Sequence, residues 1–339
     1  MKYLCLLIFL ATNVAGYAQP AKYENLVFEG AGVRGIAYSG VIHQFEKEGI
    51  MKDIVKVGGT SAGAITALMV SIGYTSEEIF KIISSTKFQK FNDGEFLFVG
   101  GLSRMKHRFG WYKADEFTQW LAEIIEVKTG DSEITFKELH KKGFKDLYVT
   151  GTCLNKQRLL IFSAESYPEM KVKDAVRISM SIPLYFEAGF IDSAGKVYKK
   201  QNAKADLDVV VDGGIIGNFP IFLFDEVRQD STNRAIRIPN YKTIGIRIDT
   251  ESQIASDSVS KELVPLPIKN MSDYMTAFYI LALENLNRSN LIPGDWERTV
   301  SVSSAGIAPK IRKLSVADKE ALINSGEKYT AAFIARSKK

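Results

Sequence analysis

The segment Gly59-Thr60-Ser61-Ala62-Gly63 decides the fold of this chain. It follows the apolar run Ile54 to Val57, which predicts a strand, and precedes Ala62 to Ser71, whose small and apolar residues predict a helix. Glycines on both sides of a serine permit the tight strand-to-helix turn that raises the hydroxyl above the backbone. The pattern therefore predicts a nucleophile elbow with Ser61 at the junction.

A second glycine-rich segment, Gly30-Ala31-Gly32-Val33-Arg34-Gly35, lies between a predicted strand over 25–29 and a predicted helix over 34–48. Its spacing also fits a dinucleotide fingerprint, with Asp53 about 20 positions further on. That fingerprint places its acid at the end of the second strand, whereas Asp53 precedes the strand. We therefore favour a loop whose backbone amides stabilise an oxyanion. Arg34 either orients this loop or is a surface charge.

A third segment, Asp212-Gly213-Gly214, follows the apolar run Val209 to Val211. The chain has three histidines, His43, His107 and His140. None of them lies in a motif that predicts a catalytic base, so a serine-histidine-acid triad lacks a good candidate. Asp212 ends a predicted strand, and we expect it to meet Ser61 at the same edge of the sheet. A carboxylate there acts as general base toward the serine hydroxyl.

Composition predicts the class of protein, and the N-terminal segment predicts the compartment. The 339 residues are 46% hydrophobic and 24% charged, as in globular proteins. Residues 1–18 combine Lys2, an apolar run and the small-x-small site Gly16-Tyr17-Ala18, which predicts a signal peptide and export to the periplasm or medium. The mature chain then keeps one cysteine, Cys153, which we expect to be a buried, inert thiol. The net charge of +5 is spread along the chain, which argues against nucleic-acid binding and permits peripheral membrane contact.

The order of predicted elements is largely strand then helix, which predicts an α/β fold with a mostly parallel central sheet and helices on both faces. No linker divides the chain. Three further predictions concern the parts around this framework. Residues 86–112, rich in aromatics and glycine, are predicted to be a loop that packs or caps a pocket. Residues 220–227 are predicted to begin a helix. The helix over 272–286 fits a core, an interface or a membrane-facing position, and its periodicity favours the core.

The three glycine-rich segments resemble the motifs of the patatin-like phospholipase family. The block 179–183 before Asp212 and the block 218–221 after it are also similar to that family's sequences. The resemblance covers a catalytic domain over 26–227, with 228–339 as a C-terminal extension packed on the same domain. It implies a three-layer α/β/α sandwich related to the α/β-hydrolases. Ala31 departs from the family pattern, because it replaces a glycine of the loop, and requires a negative φ there.

The resemblance also implies a reaction. Ser61 would be the nucleophile, Asp212 the proton acceptor and residues 30–35 the oxyanion loop, acting on phospholipids or other lipid esters without metal or cofactor. Two alternatives stay open. One is a non-catalytic lipid- or nucleotide-binding protein on the same fold, and the other is a secreted effector that needs an activator. Protein partners, head group and acyl-chain preference are not indicated by the residues.

Overall fold

The computed structural model describes residues 23–94, 97–199, 206–308 and 313–338. The predicted signal peptide lies outside the described residues. The strands are β1 Asn25–Phe28, β2 Lys56–Gly59, β3 Gly110–Tyr112, β4 Asp146–Cys153, β5 Arg158–Phe162, β6 Leu184–Phe186, β7 Gly189–Ile191, β8 Val197–Tyr198, β9 Asp208–Asp212, β10 Glu226–Gln229, β11 Ala235–Ile238, β12 Thr243–Asp249 and β13 Thr299–Ser303.

The helices alternate with these strands along much of the chain. They are α1 Ala37–Lys47, α2 Ala62–Ser71, α3 Ser76–Ser85, α4 Leu97–Arg108, α5 Asp115–Thr129, α6 Phe136–Lys141, α7 Val172–Ser179, the single turn α8 Gly214–Gly217, α9 Glu251–Val259, α10 Met271–Arg288, α11 Pro293–Glu297 and α12 Val316–Ser337. Short 3-10 helices cover Gly32–Ile36, Ile50–Lys52, Phe88–Phe91 and Ile221–Phe224.

Within the described residues, the central sheet has nine strands in the order β13-β12-β1-β2-β4-β9-β7-β8, with β5 also paired to β4. The pairs from β13 to β4 are parallel. The pairs of β4 with β9 and β5, of β9 with β7 and of β7 with β8 are antiparallel. The predicted α/β fold is confirmed, and its sheet is mixed, with the parallel strands in one half.

The register of the sheet brings the three predicted motifs to one edge. Phe28 pairs with Gly59, so the chain leaves β1 toward the glycine loop and leaves β2 toward Ser61 at the same level. Strand β9 runs antiparallel to β4, and Asp212 pairs with Gly151 of β4. Gly151 lies two residues beyond the β4 residue that pairs with Gly59 of β2. Strand β9 therefore begins beyond the carboxyl ends of the parallel strands and runs back toward the sheet, so that Asp212, its last residue, lies at this edge.

Both faces of the parallel half are covered, as an α/β sheet requires. On one face, Leu26, Ile244 and Val57 belong to the large core formed with α1 and α2. On the other face, Gly58 and Gly245 leave room for the chain segment 219–224: a methyl group built on either glycine would fall about 2.5 Å from its side chains. Glycine at these two strand positions lets the segment lie directly on the sheet.

Residues 228–338 contribute to the same sheet and core through β12, β13 and α12. Helix α12 packs against α1 at two close backbone approaches. A methyl group built on Gly40 of α1 would fall 2.1 Å from the Ile323 carbonyl oxygen, and one built on Gly326 of α12 would fall 2.2 Å from the Ala37 carbonyl oxygen. One glycine on each helix therefore sets their separation.

Three predictions of secondary structure and burial are wrong. Residues 86–112 are largely helical, because α4 and a 3-10 turn occupy most of this stretch. Residues 221–224 form a 3-10 turn followed by β10 in place of the predicted helix. Helix α10 exists, but several of its large apolar side chains are exposed, so these side chains do not occupy the core position that the periodicity favours. Among the described residues, no helix is both long and apolar enough to span a bilayer.

Candidate active site

Ser61 occupies a sharp turn between β2 and α2. Its backbone has φ 54° and ψ −124°, a conformation that non-glycine residues adopt rarely and at a cost in free energy. The flanking glycines permit it. A methyl group on Gly63 would fall 2.3 Å from the Phe28 carbonyl oxygen, and one on Gly59 would fall 2.4 Å from the Gly63 carbonyl oxygen. The turn therefore has the geometry that the sequence predicts for a nucleophile elbow.

Two neighbouring side chains hold the elbow in place. The Ser61 amide donates to Ser179 Oγ at 2.9 Å. The Thr60 hydroxyl lies 2.6 Å from Thr150 Oγ1 and donates to the Gly217 carbonyl at 2.7 Å. These contacts tie the turn to α7, β4 and α8. Their roles are not visible in the sequence, although Ser179 lies in a block that resembles the family.

Asp212 lies at the end of β9 and is almost fully buried. Its Oδ1 accepts a hydrogen bond from the Gly214 amide at 2.7 Å, and the Ser61 hydroxyl lies near enough to this carboxyl group to lower its pKa. Burial raises the pKa of Asp212 to about 6, while the Gly214 amide and the Ser61 hydroxyl act in the opposite direction. A methyl group on Gly213 would fall 2.2 Å from Thr150 Oγ1, so this turn also requires glycine.

The Ser61 hydroxyl has a second neighbour in Met180, whose Sδ lies 3.2 Å from Ser61 Oγ. A thioether sulfur is a weak acceptor, whereas a carboxylate accepts strong hydrogen bonds. The hydroxyl donates to this sulfur in the structure, and because the sulfur is a weak acceptor the contact holds the proton only weakly. Met180 is a further site residue that the sequence does not single out.

The glycine loop lies beside the elbow and is fixed by Asn218. The Gly30 amide donates to the Asn218 carbonyl at 2.9 Å, and Asn218 Nδ2 donates back to the Gly30 carbonyl at 3.1 Å. A methyl group on Gly30 would fall 2.2 Å from Asn218 Oδ1 and 3.3 Å from Ser61 Cβ. Asn218 therefore joins the glycine loop to the turn that follows Asp212.

Within the loop, Ala31 has φ −131°, so alanine is accommodated without strain. Gly32 has φ 56°, which favours glycine. Gly32 and Val33 begin a 3-10 helix, and the first amides of a helix have no acceptor within it. Arg34 Nε donates to the Ala31 carbonyl at 3.2 Å, so its side chain orients the loop. Gly35 lies against Ala62, where a methyl group would approach the Ala62 side chain to 3.2 Å.

Glu29 is a buried acid directly before the glycine loop, and the sequence does not indicate a role for it. It accepts a hydrogen bond from the Ile248 amide at 2.9 Å and lies 3.4 Å from Asn218 Nδ2. Burial raises the pKa of Glu29 to about 8, although Arg247 on β12 lowers it. Glu29 thus links β12 to the residue that holds the glycine loop.

An apolar cleft opens beside Ser61, with an empty volume of about 760 Å³ including its mouth. Its walls come from the glycine loop, α2, α3, the 3-10 turn at 88–91 and the segment after α7. The lining side chains include Val33, Ile36, Ile65, Ile83, Phe88, Phe91, Met180, Ile182 and Phe186. Part of the aromatic segment 86–112 therefore forms the cleft.

The other titratable candidates lie elsewhere. His43 approaches Ser76, His107 lies 2.9 Å from the Ser103 carbonyl, and the exposed His140 lies 2.6 Å from Asp146. None of them lines the cleft. Asp53 precedes β2 and so lies at the opposite end of that strand from the glycine loop. In the part of the chain that the structure describes, no group of three or more His, Cys, Asp or Glu residues is arranged to bind a metal. Cys153 is buried, and burial raises the pKa of its thiol.

The chain is similar in sequence and fold to several known proteins. The model of the patatin-like phospholipase family matches residues 26–225. YqhO of Bacillus subtilis (strain 168) is 33% identical over 216 residues, which are 61% of this chain and 68% of YqhO. Protein 463L of Invertebrate iridescent virus 6, named a probable lipid hydrolase, is 28% identical over 211 residues, 60% of this chain and 63% of that protein.

Among solved structures, VipD from Legionella pneumophila shares the fold. Its TM-score is 0.58 at 14% sequence identity, and the alignment covers 93% of this chain and 67% of VipD. A likeness at this identity concerns the fold alone. The family match spans more than half of the chain and contains all three glycine-rich segments. The chain therefore belongs to the patatin-like phospholipase family.

Proposed function

We propose that the protein is a serine hydrolase of lipid acyl esters that uses Ser61 and Asp212. The observation that carries this proposal is the position of Ser61, on a strained strand-to-helix turn beside the buried Asp212 carboxylate and an apolar cleft. Family membership and the name of the viral relative support lipid as the substrate class. The cleft fits an acyl chain, because its walls are largely aliphatic and aromatic side chains.

The proposed reaction proceeds in two halves. Ser61 Oγ attacks the ester carbonyl carbon as its proton passes to Asp212, and the carbonyl oxygen becomes an oxyanion facing the amides of Gly32 and Val33. Collapse of this intermediate breaks the bond to the alcohol, which takes the proton from Asp212 and leaves. Water then loses a proton to Asp212, attacks the acyl-serine ester and releases the fatty acid, while Ser61 recovers its proton.

The environment of Asp212 suits the role of base. An exposed aspartate with a pKa near 3.9 is a weak base toward a serine hydroxyl. Burial raises the pKa of Asp212 to about 6, closer to neutral pH, where general bases work best. The carboxylate remains the major form at pH 7, so it is both ionised and more basic than an exposed aspartate.

The test is fatty-acid release from mixed phospholipid vesicles and from short-chain nitrophenyl esters, together with labelling by a fluorophosphonate probe. The parent should hydrolyse at least one substrate and take up the probe. Ser61→Ala should lose both, whereas Ser258→Ala, which changes an exposed serine on α9, should retain both. Hydrolysis or labelling that survives in a folded Ser61→Ala protein would refute the proposed nucleophile.

We also propose that the chain is exported and that cleavage leaves Gln19 at its new N-terminus. The support is the sequence pattern of residues 1–18. Intact-mass measurement of the protein recovered from cell fractions tests this directly. A chain recovered from the cytoplasm with Met1 in place would contradict it.

A further inference from the structure

Helix α10 presents an apolar stripe to solvent. Five large side chains repeat at positions three or four apart, so they lie along one side of the helix. They are Met271, Tyr274, Met275, Phe278 and Leu281, with 73%, 53%, 55%, 61% and 55% of their surface exposed. Leu266 and Ile268, just before the helix, are exposed as well. A contiguous exposed apolar surface of this kind is typical of a binding site.

The C-terminal end of α10 is attached firmly to the protein. Arg288 pairs with Asp257 of α9 at 2.8 Å and with Glu284 at 3.4 Å. At the other terminus, Asn270 Oδ1 accepts from the Asp273 amide at 2.9 Å and caps the helix. The helix is therefore complete and held at its last turn, while its first three turns expose the stripe.

The same last turn contacts the candidate active site. Asn287 Nδ2 donates to the Gly214 carbonyl at 3.2 Å, and Asn287 Oδ1 accepts from the Asn218 amide at 2.5 Å. Gly214 binds Asp212, and Asn218 holds the glycine loop at Gly30. The exposed stripe thus continues into the helix end that supports both parts of the site.

We propose that the stripe of α10 (Met271, Tyr274, Met275, Phe278 and Leu281) docks on the surface of a zwitterionic phospholipid bilayer and holds the cleft beside its substrate. The inference rests on the proposed lipid-hydrolase function. An amphipathic helix that lies in the plane of a bilayer inserts such an apolar face among the head groups and upper acyl chains.

The charges of α10 select the type of surface. The charged residues of this helix are engaged: the Asp273 carboxylate accepts from the amide before Asn270 and from Asn270 Nδ2, and Glu284 and Arg288 form ion pairs. The stripe itself contains no charged side chain. Attraction to anionic lipids requires clustered Lys or Arg residues, which α10 lacks. Docking is therefore driven by burial of apolar surface and depends little on salt.

The experiment measures co-sedimentation of the Ser61→Ala protein, beginning at Gln19, with phosphatidylcholine vesicles, so that the lipid is not consumed and the apolar run of residues 1–18 is absent. Phe278→Glu in this background should weaken partitioning at least about tenfold, because one large apolar group is replaced by a charge. Met275→Glu should behave in the same way and serves as a second variant. The matched control is Val127→Glu, since Val127 is an apolar residue of α5 that is 74% exposed, and its binding should match the parent.

Several results would overturn the proposal. They are a parent that does not bind the vesicles, an unchanged affinity in both α10 variants, and binding that disappears between about 0.1 M and about 0.5 M salt. A fourth is a parent dimer that Phe278→Glu converts to monomer without changing vesicle binding, because a second copy would then cover the stripe.

A parallel activity assay with Ser61 intact separates the two proposals. If docking is correct, Phe278→Glu lowers hydrolysis of vesicle lipid and leaves hydrolysis of a soluble short-chain ester unchanged. If neither substrate is hydrolysed and Phe278→Glu still abolishes vesicle binding, the docking surface stands and the hydrolase proposal fails.

Discussion

Replacing Asp212 by asparagine should remove activity and stabilise the fold at alkaline pH. Asparagine has nearly the same shape, and its Oδ1 can still accept the hydrogen bond from the Gly214 amide. It cannot take a proton from Ser61, so ester turnover should fall to the level of Ser61→Ala. The buried charge of Asp212 disappears as well, which removes a cost in folding free energy.

The size of that cost follows from the pKa of Asp212. The folded state raises this pKa from 3.8 to about 6, so the folded protein binds the proton more tightly than the unfolded chain. The free energy of unfolding therefore falls as the pH rises from about 4 to about 6, and the loss is complete above that range. Two pKa units correspond to about 3 kcal/mol. Asp212→Asn should gain up to this amount at pH 8 and only about 1 kcal/mol at pH 4.5.

Urea unfolding of the parent and Asp212→Asn at pH 8 and pH 4.5 measures both values. Glu123→Gln, which neutralises an exposed acid on α5, is the matched control and should change stability little at either pH. A variant that is less stable than the parent at pH 8, or equally stabilised at both pH values, would refute the argument that burial of Asp212 sets its pKa. The pH profile of parent kcat/KM should agree, rising to a plateau above pH 6.

Three further predictions concern the loop, the elbow and the cleft. Asn218→Ala removes the bond to the Gly30 carbonyl, so kcat should fall at least about tenfold with little change in KM, as steady-state kinetics will show; an unchanged kcat would contradict this. Gly63→Ala places a methyl group 2.3 Å from the Phe28 carbonyl oxygen and should cost at least about 3 kcal/mol in urea unfolding, with native-like stability as the contrary result. Ile182→Trp fills part of the cleft and should lower turnover of long-chain relative to short-chain esters; an unchanged ratio would place the acyl chain elsewhere.

The elbow and the glycine loop were the most predictable parts of the site, because their chemistry lies in adjacent residues. The glycines around Ser61 are required by backbone approaches of 2.3 to 2.4 Å, and a requirement of that kind leaves a local pattern in the sequence. The parallel half of the sheet was predictable for a similar reason, since strand and helix alternate there along the chain. Whether alanine fits at position 31 of the glycine loop also depends on local geometry alone, because a negative φ angle is all that alanine requires there.

Long-range packing was less predictable. Asn218 and Asn287 act through contacts with residues far away in sequence. Asn218 begins a block that resembles the family, but the block does not indicate its contact with Gly30, and Asn287 has no local pattern that marks it. The helical period of 272–286 favours a core position over an interface or a membrane-facing one. Periodicity shows that a helix has an apolar side, and it does not show whether another part of the protein covers that side. The aromatic residues of 86–112 likewise did not indicate α4.

The direction of β9 is the topological fact that matters most for the proposed chemistry. The sequence indicates a strand that ends at Asp212, but an aspartate at the open end of a parallel strand would be partly solvated and a weak base. Because β9 runs antiparallel to β4, Asp212 instead enters the sheet edge from outside and finishes opposite Gly151, where it is buried. Burial raises its pKa to about 6, and the same burial destabilises the fold above that pH. The proposed base therefore gains its basicity from strand direction, and the stability measurements on Asp212→Asn test that link independently of any substrate.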